Sequence, residues 1–352
     1  MKLQENVPLA PLTTFKVGGP ARYFLAAQAE DDVRAGVFWA RDRGLPLFVL
    51  GGGSNLVVSD NGFSGLVIKI ELHGISQRDQ AGKRIFEVAA GEDWDEFVAK
   101  TVAQNCAGIE CMSGIPGTVG GTPVQNVGAY GQEVADSITS VRVFDLKQNG
   151  IREMANPDLG FTYRTSIFNT AQRGCYIVLR VTYALTPSGA PHIEYADLKK
   201  FFSGKKSPSL GETRDAVRHI RHTKAMLIVP DDPDCRSAGS FFKNPIVSAA
   251  QYAEVFEIAK RLRIQSEVPK FPASNGQVKL SAAWLVEQSG FRKGFSRGSV
   301  GISSKHSLAI VNRGGATAQD IVALKSDVQH HVAEQFGIKL QPEPVFVGFE
   351  PS

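Results

Sequence analysis

Apolar and polar positions alternate along this chain in two rhythms. Residues 29–43, AEDDVRAGVFWARDR, place apolar side chains three and four apart among charges. That spacing predicts an amphipathic helix, stopped ahead of Gly44 and Pro46. LPLFVL (45–50) and GLVIKI (65–70) read as buried strands. IFEVAAG (85–91) predicts another strand, and WDEFVAKTVAQN (94–105) the helix after it. SVRVFDLKQN (140–149) and CYIVLRVTYAL (175–185) show the period-two alternation of strands. The chain up to about residue 190 therefore mixes strands and helices, with glycine-rich turns between them.

Composition shifts at TPSGAP (186–191) and again at SGKKSPSLG (203–211), both linker signals. The segment 211–344 reads as a separate α/β unit with helical patterns at 212–225, 248–263, 280–289 and 317–336. VFVGFE (345–350) reads as a short strand returning to the first domain. No internal repeat or low-complexity tract interrupts this order.

A length of 352 residues suits two or three domains, and a hydrophobic fraction of 43% argues against disorder. The net charge of +4 is mild for this length. No dense basic run with interleaved aromatics appears, so no nucleic-acid footprint is expected. A small positive balance still suits an anionic small molecule. Cys106, Cys111, Cys175 and Cys235 form no CxxC pair, so neither a zinc site nor a redox pair is indicated. The N-terminus lacks a signal-peptide stretch, and no run approaches the ~18 apolar residues of a membrane helix. A soluble cytoplasmic setting is the expectation.

Chemistry concentrates around glycine. MSGIPGTVGGTPVQNVGAYG (112–131) packs Gly114, Gly117, Gly120, Gly121, Gly128 and Gly131 among small or amide residues. Glycine allows positive φ and close approach of backbone to a ligand. Successive exposed N–H groups can line a pyrophosphate. The spacing matches neither the phosphate-loop pattern nor the Rossmann fingerprint. A lone glycine cluster more often marks structural turns. LGGGSNLVV (50–58) is a second glycine-rich turn. Two such loops favour a dinucleotide-like cofactor.

Three further clusters lie downstream. FTYRTSIF (161–168) sets Tyr163 and Arg164 beside Ser166, an aromatic face with a guanidinium fork suited to carboxylate or phosphate. By itself the pattern fits a surface arginine beside a core tyrosine better. SAGSFFKNP (237–245) puts Ser240 three and four residues before Lys243 and Asn244. A hydroxyl near an ammonium and an amide can donate a proton. An N-capping serine in a strand-to-helix turn is an equal alternative. In LQPEPVFVG (340–348), Pro342 and Pro344 stiffen the chain around Glu343, although a solvated turn glutamate is the commoner arrangement. RHIRHTKAM (218–226) gathers Arg218, Arg221, His222 and Lys224 on one helix as a candidate anion patch, part of which is a solvated basic face.

In this order GGGSNLV (51–57), SGIPGTVGGTPVQNVGAYG (113–131), FTYRTSIF (161–168), GSFFKNP (239–245) and the proline-flanked Glu343 resemble the bacterial UDP-N-acetylenolpyruvoylglucosamine reductase family. The likeness covers essentially the whole chain. IEYADL (193–198) resembles the mobile tyrosine segment of the longer, type I subgroup. The family makes UDP-N-acetylmuramate for peptidoglycan, and so serves cell-wall biogenesis and division.

The resemblance implies an α+β fold: a vanillyl-alcohol-oxidase-like FAD-binding region of two α/β subdomains plus a C-terminal α/β substrate-binding domain. Mapped onto this chain, the first subdomain covers 1–70 with 345–352 returning to it, the second 71–209, and the substrate domain 210–344. FAD is the implied cofactor and NADPH the implied reductant, in a ping-pong order. UDP-N-acetylglucosamine enolpyruvate is the implied substrate, with no metal and no obligate protein partner.

The implied catalytic trio is Arg164, Ser240 and Glu343. Around the cofactor the resemblance places Gly51, Gly52, Gly53, Ser54 and Asn55 of the first loop. From the second it places Ser113, Gly114, Ile115, Pro116, Gly117, Gly120 and Gly121, then Asn126, Gly128, Ala129 and Tyr130. Tyr163, Tyr195, Lys224, Asn244 and Gln288 fall on substrate-binding positions, Gln288 within the loosely matching VEQSG. Pro344 departs from many family members but leaves the acid in place. A flavin oxidase would share the glycine loops without needing GSFFKNP, and a nucleotide-sugar-binding protein would not need the loops.

Overall fold

A computed structural model describes residues 1–204, 207–273 and 276–350. Contacts divide it into two compact units. The first contains Met1–Val7, Ala21–Gly53 and Phe63–Leu227, and the second Pro8–Pro20, Ser54–Gly62 and Ile228–Ser352.

The first unit is built on two sheets. One has the strand order Leu3–Pro8, Pro20–Ala27, Phe63–Ile70, Leu47–Leu50. Its last two pairings are parallel. Helix α1 (Glu30–Asp42) buries Val33, Gly36, Val37 and Ala40. A Cβ on Gly36 would stand 2.6 Å from Leu25, so glycine lets the helix approach the sheet. The second sheet runs Gly150–Ala155, Ile138–Asp145, Tyr176–Pro187, Lys83–Ala89, Ile75–Gln80, all antiparallel. Helix α2 (Trp94–Ala103) is capped by Asp93, which accepts from the Glu96 N–H. It sends Trp94 and Phe97 against Tyr183 in one core shared with both sheets.

Helices α3 (Ala196–Phe201) and α4 (Leu210–Thr223) complete this unit. α4 starts at a capping box, Ser209 with Glu212, and buries Leu210, Thr213, Ala216, Val217, Ile220 and Arg221. The first of the two units extends to Leu227, because α4 packs its apolar stripe within it.

The second unit contains α5 (Ala249–Arg261), α6 (Ala282–Gln288), α7 (Ala318–Phe336) and short antiparallel strands. Its core includes Phe15, Val57, Phe241, Phe242 and Leu285. Two N-terminal segments are stitched into it. Asn312 donates its amide to Phe15 O at 2.9 Å, and Asp60 accepts the Ala318 and Gln319 N–H groups at the start of α7. Strand Val345–Val347 runs parallel to Leu56–Val58. Residues 351–352 of the expected return lie outside the described residues.

Candidate active site

In the first unit the two glycine loops meet although some sixty residues separate them in sequence. A Cβ on Gly52 would lie 2.5 Å from Gly117 Cα, and one on Gly51 2.9 Å from Thr118 Oγ1. Gly53, Gly114 and Gly117 take positive φ of 67°, 74° and 127°. The second loop is pinned at both ends. Trp94 Nε1 donates to Met112 O at 3.1 Å, and Trp94 N to Gly117 O at 3.1 Å. Gly114 N donates to Asp95 Oδ1 at 2.6 Å. Ser113 spends its hydroxyl on Glu110 O, and Ile115 and Pro116 are half-buried.

Asp95 also pairs with Arg214 and Arg218, one turn apart on α4. Partial burial pushes its carboxyl up. The Arg214 hydrogen bond, the Gly114 N–H and the two guanidinium charges outweigh this and hold it below the usual carboxylate range.

The basic residues of the 218–224 run have separate partners. Arg218 faces Asp95, Lys224 reaches Asp197 at 2.6 Å, and His222 is exposed. Arg221 differs from all three. It is 6% exposed, donates Nη2 to Met226 O at 2.7 Å, and its Nε has no hydrogen-bond partner. That Nε lies 3.4 Å from where a Gly114 Cβ would be. A buried guanidinium without a carboxylate is costly unless an anion meets it.

The loop 126–131 holds Arg164. Its Nη2 donates to Gly128 O at 2.7 Å and its Nη1 to Asn126 O at 3.5 Å, with the guanidinium 5.4 Å from the Tyr163 ring centre. Arg164, Asn126 and Tyr130 adopt positive φ of 55°, 44° and 49°. Such strain in non-glycine residues gathers at functional sites. The Asn126 side chain is committed to Glu133, Thr162 O and the Ala135 N–H. Ala129 is half-buried, while Tyr130 is buried, its phenol pushed up to about 12 by desolvation. The Tyr195 ring, exposed at the start of α3, meets Tyr130 edge-on at 5.3 Å. Asp197, two residues on, is the partner of Lys224, so Lys224 tethers the tyrosine segment. Buried Glu110, unnoticed in the sequence, accepts from Gly108 N, Gln132 Nε2 and His192 N. It joins the loop to that segment.

In the second unit, Ser240 and Glu343 lie on paired chains. Phe242 bridges Pro342, Glu343 N donates to Phe241 O at 2.8 Å, and Lys243 N to Gln341 O at 2.9 Å. Phe241 and Phe242 are 0% and 2% exposed, anchoring the segment in the core of this unit. Thr14 Oγ1 donates to Ser237 O at 2.6 Å, and Asn55 Nδ2 to Glu343 O at 3.3 Å. Ser240 Oγ contacts His306 Nε2 at 3.4 Å. Asn244 Oδ1 accepts the Ala282 N–H at 2.9 Å, which spends one side of its amide on the start of α6. Gln288, at the other end, gives its backbone carbonyl to Gln335 of α7. Its neighbour Glu287 instead accepts the Ser307 hydroxyl, beside His306.

Residues 231–347 match the sequence model of the UDP-N-acetylenolpyruvoylglucosamine reductase C-terminal domain, and residues 21–153 that of an FAD binding domain. A UDP-N-acetylenolpyruvoylglucosamine reductase of Thermobifida fusca (strain YX) is 46% identical over 98% of both chains. This chain belongs to the UDP-N-acetylenolpyruvoylglucosamine reductase family. The Azoarcus sp. (strain BH72) reductase is 40% identical over 99% of this chain and 98% of its own. The crystal structure of the Thermus caldophilus reductase aligns over 99% of both chains, at 25% identity and a TM-score of 0.64.

The protein is thus a reductase of α+β fold carrying an FAD-binding domain, as the sequence motifs led one to expect. The first unit fits that cofactor. Gly51–Gly53 and Gly114, Gly117, Gly120 and Gly121 form a cradle largely of backbone, and Arg221 presents a buried cationic donor beside Gly114. These residues would hold FAD, with the pyrophosphate as the anion they suit best.

Proposed function

We propose that this chain reduces UDP-N-acetylglucosamine enolpyruvate to UDP-N-acetylmuramate, with NADPH as electron source and Ser240 as proton donor. The observation that supports the reading is the backbone pairing of the segment that follows Ser240 with the segment that carries Glu343, on a buried aromatic anchor. FAD, held by Gly51–Gly53, the glycines of the 114–121 loop and Arg221, would supply the hydride-transfer chemistry that links NADPH to the terminal vinyl carbon of the substrate. Charge then builds on the α-carbon and spreads into its carboxylate. Arg164, whose guanidinium is preset by Gly128 O, meets that charge. Glu343 adds a hydrogen bond in its protonated form. The Ser240 O–H bond breaks as the C–H bond at the α-carbon forms. Tyr163, Tyr195, Lys224, Asn244 and Gln288 are proposed to bind the substrate.

The three-part division at 70 and 210, the cytoplasmic setting and the absence of obligate macromolecular partners belong to the same proposal. No described helix is long and apolar enough to cross a membrane.

Anaerobic stopped-flow absorbance separates the two half-reactions. Ser240→Ala is expected to leave flavin reduction by NADPH nearly intact. It should slow reoxidation by the enolpyruvyl substrate by more than the ~10²–10⁴ of ordinary general-acid catalysis. Ser240→Cys should keep part of the rate, a thiol being the stronger acid. Wild-type reoxidation by Ser240→Ala would assign the proton to another group.

A further inference from the structure

We propose that His306 is a positioning residue for Ser240: its neutral ring donates Nε2–H to the serine oxygen, aiming the hydroxyl proton away and stabilising the oxygen once that proton has left. The inference rests on the proposed role of Ser240.

Ring chemistry supports the direction of the bond. The Leu308 backbone N–H donates to His306 Nδ1 at 2.9 Å. An N–H donor needs a lone pair, so Nδ1 is the bare nitrogen and the hydrogen of the neutral ring resides on Nε2. The Leu308 bond thereby selects the Nε2–H tautomer of the neutral ring. Nε2 lies 3.4 Å from Ser240 Oγ, and with its hydrogen in place it is the donor. A serine oxygen that accepts there keeps its own proton for another acceptor.

The frame is closed through the backbone. Phe241 N, next to Ser240, donates to Leu308 O at 2.7 Å. Leu308 thus orients His306 with its N–H and the Ser240 strand with its carbonyl. The loop around His306 is itself tied down. Ser303 Oγ accepts the N–H groups of Lys305 and His306, and Ala309 N donates to His306 O at 3.1 Å. Ser304 and Lys305 are anchored on Asp234 and Asp232.

The step balances without an added reagent. The Ser240 O–H bond breaks, the electron pair of the substrate carbanion forms the new C–H bond, and the charge moves to the serine oxygen. The His306 ring keeps its hydrogen throughout and lowers the energy of that alkoxide, which then recovers a proton from water. Hydrogen bonds to charged groups are stronger than those to neutral ones, so the contribution grows as the proton leaves.

The test compares His306→Phe, which removes the donor, with His306→Gln, whose amide carries an N–H at similar reach, both as FAD-loaded protein. His306→Phe should slow reoxidation by the enolpyruvyl substrate roughly ten- to a hundredfold. It should slow reduction by NADPH far less. His306→Gln should recover most of the loss. In a Ser240→Ala background, His306→Phe should add less than about threefold, because the two residues act as a unit. Equal slowing of both half-reactions, failure of Gln to rescue, or a full additional loss on Ser240→Ala would overturn the inference. A slow Ser240→Ala with an unimpaired His306→Phe would reject His306 alone. An unimpaired Ser240→Ala would reject the serine donor itself.

Discussion

A Cβ placed on Gly52 would stand 2.5 Å from the Cα of Gly117. Packed carbon atoms do not approach so closely. Two loops far apart in sequence are therefore in backbone contact, and the contact requires that Gly52 have no side chain.

The glycines of the cradle differ in what they protect. A Cβ on Gly120 would stand 2.6 Å from the Ala90 Cβ, so Gly120→Val should destabilise the protein itself. A Cβ on Gly121 would meet no chain atom within 4 Å, so Gly121→Val should fold normally. Any loss of FAD by that variant would then report a direct clash with the cofactor. Thermal melts beside the flavin absorbance of purified protein distinguish the two. Equal melting loss in both variants would contradict the distinction.

Asn244 does structural work whatever it does for substrate. Its Oδ1 receives the Ala282 N–H at the first turn of α6. Asn244→Ala should lower stability by about 1 kcal/mol, in the range of a lost helix cap. Asn244→Asp keeps the acceptor and should lose much less. Denaturant unfolding of the two variants checks the order, which a pure substrate-binding role would not produce.

Asp95 makes stability depend on pH with a defined sign. Its carboxyl titrates below the ordinary range, so its contribution is complete above the unfolded pKa near ~4 and is lost as pH falls through the lower folded value. Asp95→Asn should cost about 2 kcal/mol at pH 7, the scale of hydrogen bonds to charged groups. The gap from wild type should close under acid conditions. A gap constant from pH 7 to pH 3 would exclude this ion cluster as the cause.

Tyr195 offers its ring to Tyr130 and is otherwise 46% exposed. Tyr195→Phe keeps the ring contact and removes the hydroxyl. It should weaken binding of the enolpyruvyl substrate while flavin reduction by NADPH stays close to wild type. Titration of each ligand, followed by the flavin spectrum, measures the two effects, and equal losses would argue against a substrate-facing role.

Much of this protein could be read from local pattern. The helices expected at 29–43, 94–105, 248–263 and 317–336 appear as Glu30–Asp42, Trp94–Ala103, Ala249–Arg261 and Ala318–Phe336. Each carries an apolar stripe, and caps such as Ser248 and Thr317 are visible in the sequence. Strands Ile75–Gln80 and Gly150–Ala155 escaped notice because they are mostly exposed edge strands with little apolar alternation. The family, too, was legible, because its motifs are contiguous.

Partnership between distant residues was not legible. Nothing in the spacing of RHIRHTKAM says that Arg218 turns to Asp95, Lys224 to Asp197, and Arg221 inward without a carboxylate. Those fates depend on which face of α4 the rest of the unit covers. In the same way, SKHSL gives no sign that Leu308 sets the tautomer of His306 and aims it at Ser240, 66 residues earlier. Local sequence determined the elements and the chemical groups available, because helix periodicity, caps and glycine turns are short-range. Which groups meet was decided only by tertiary structure, because hydrogen bonds act over about 3 Å and chain folding alone brings remote residues that close.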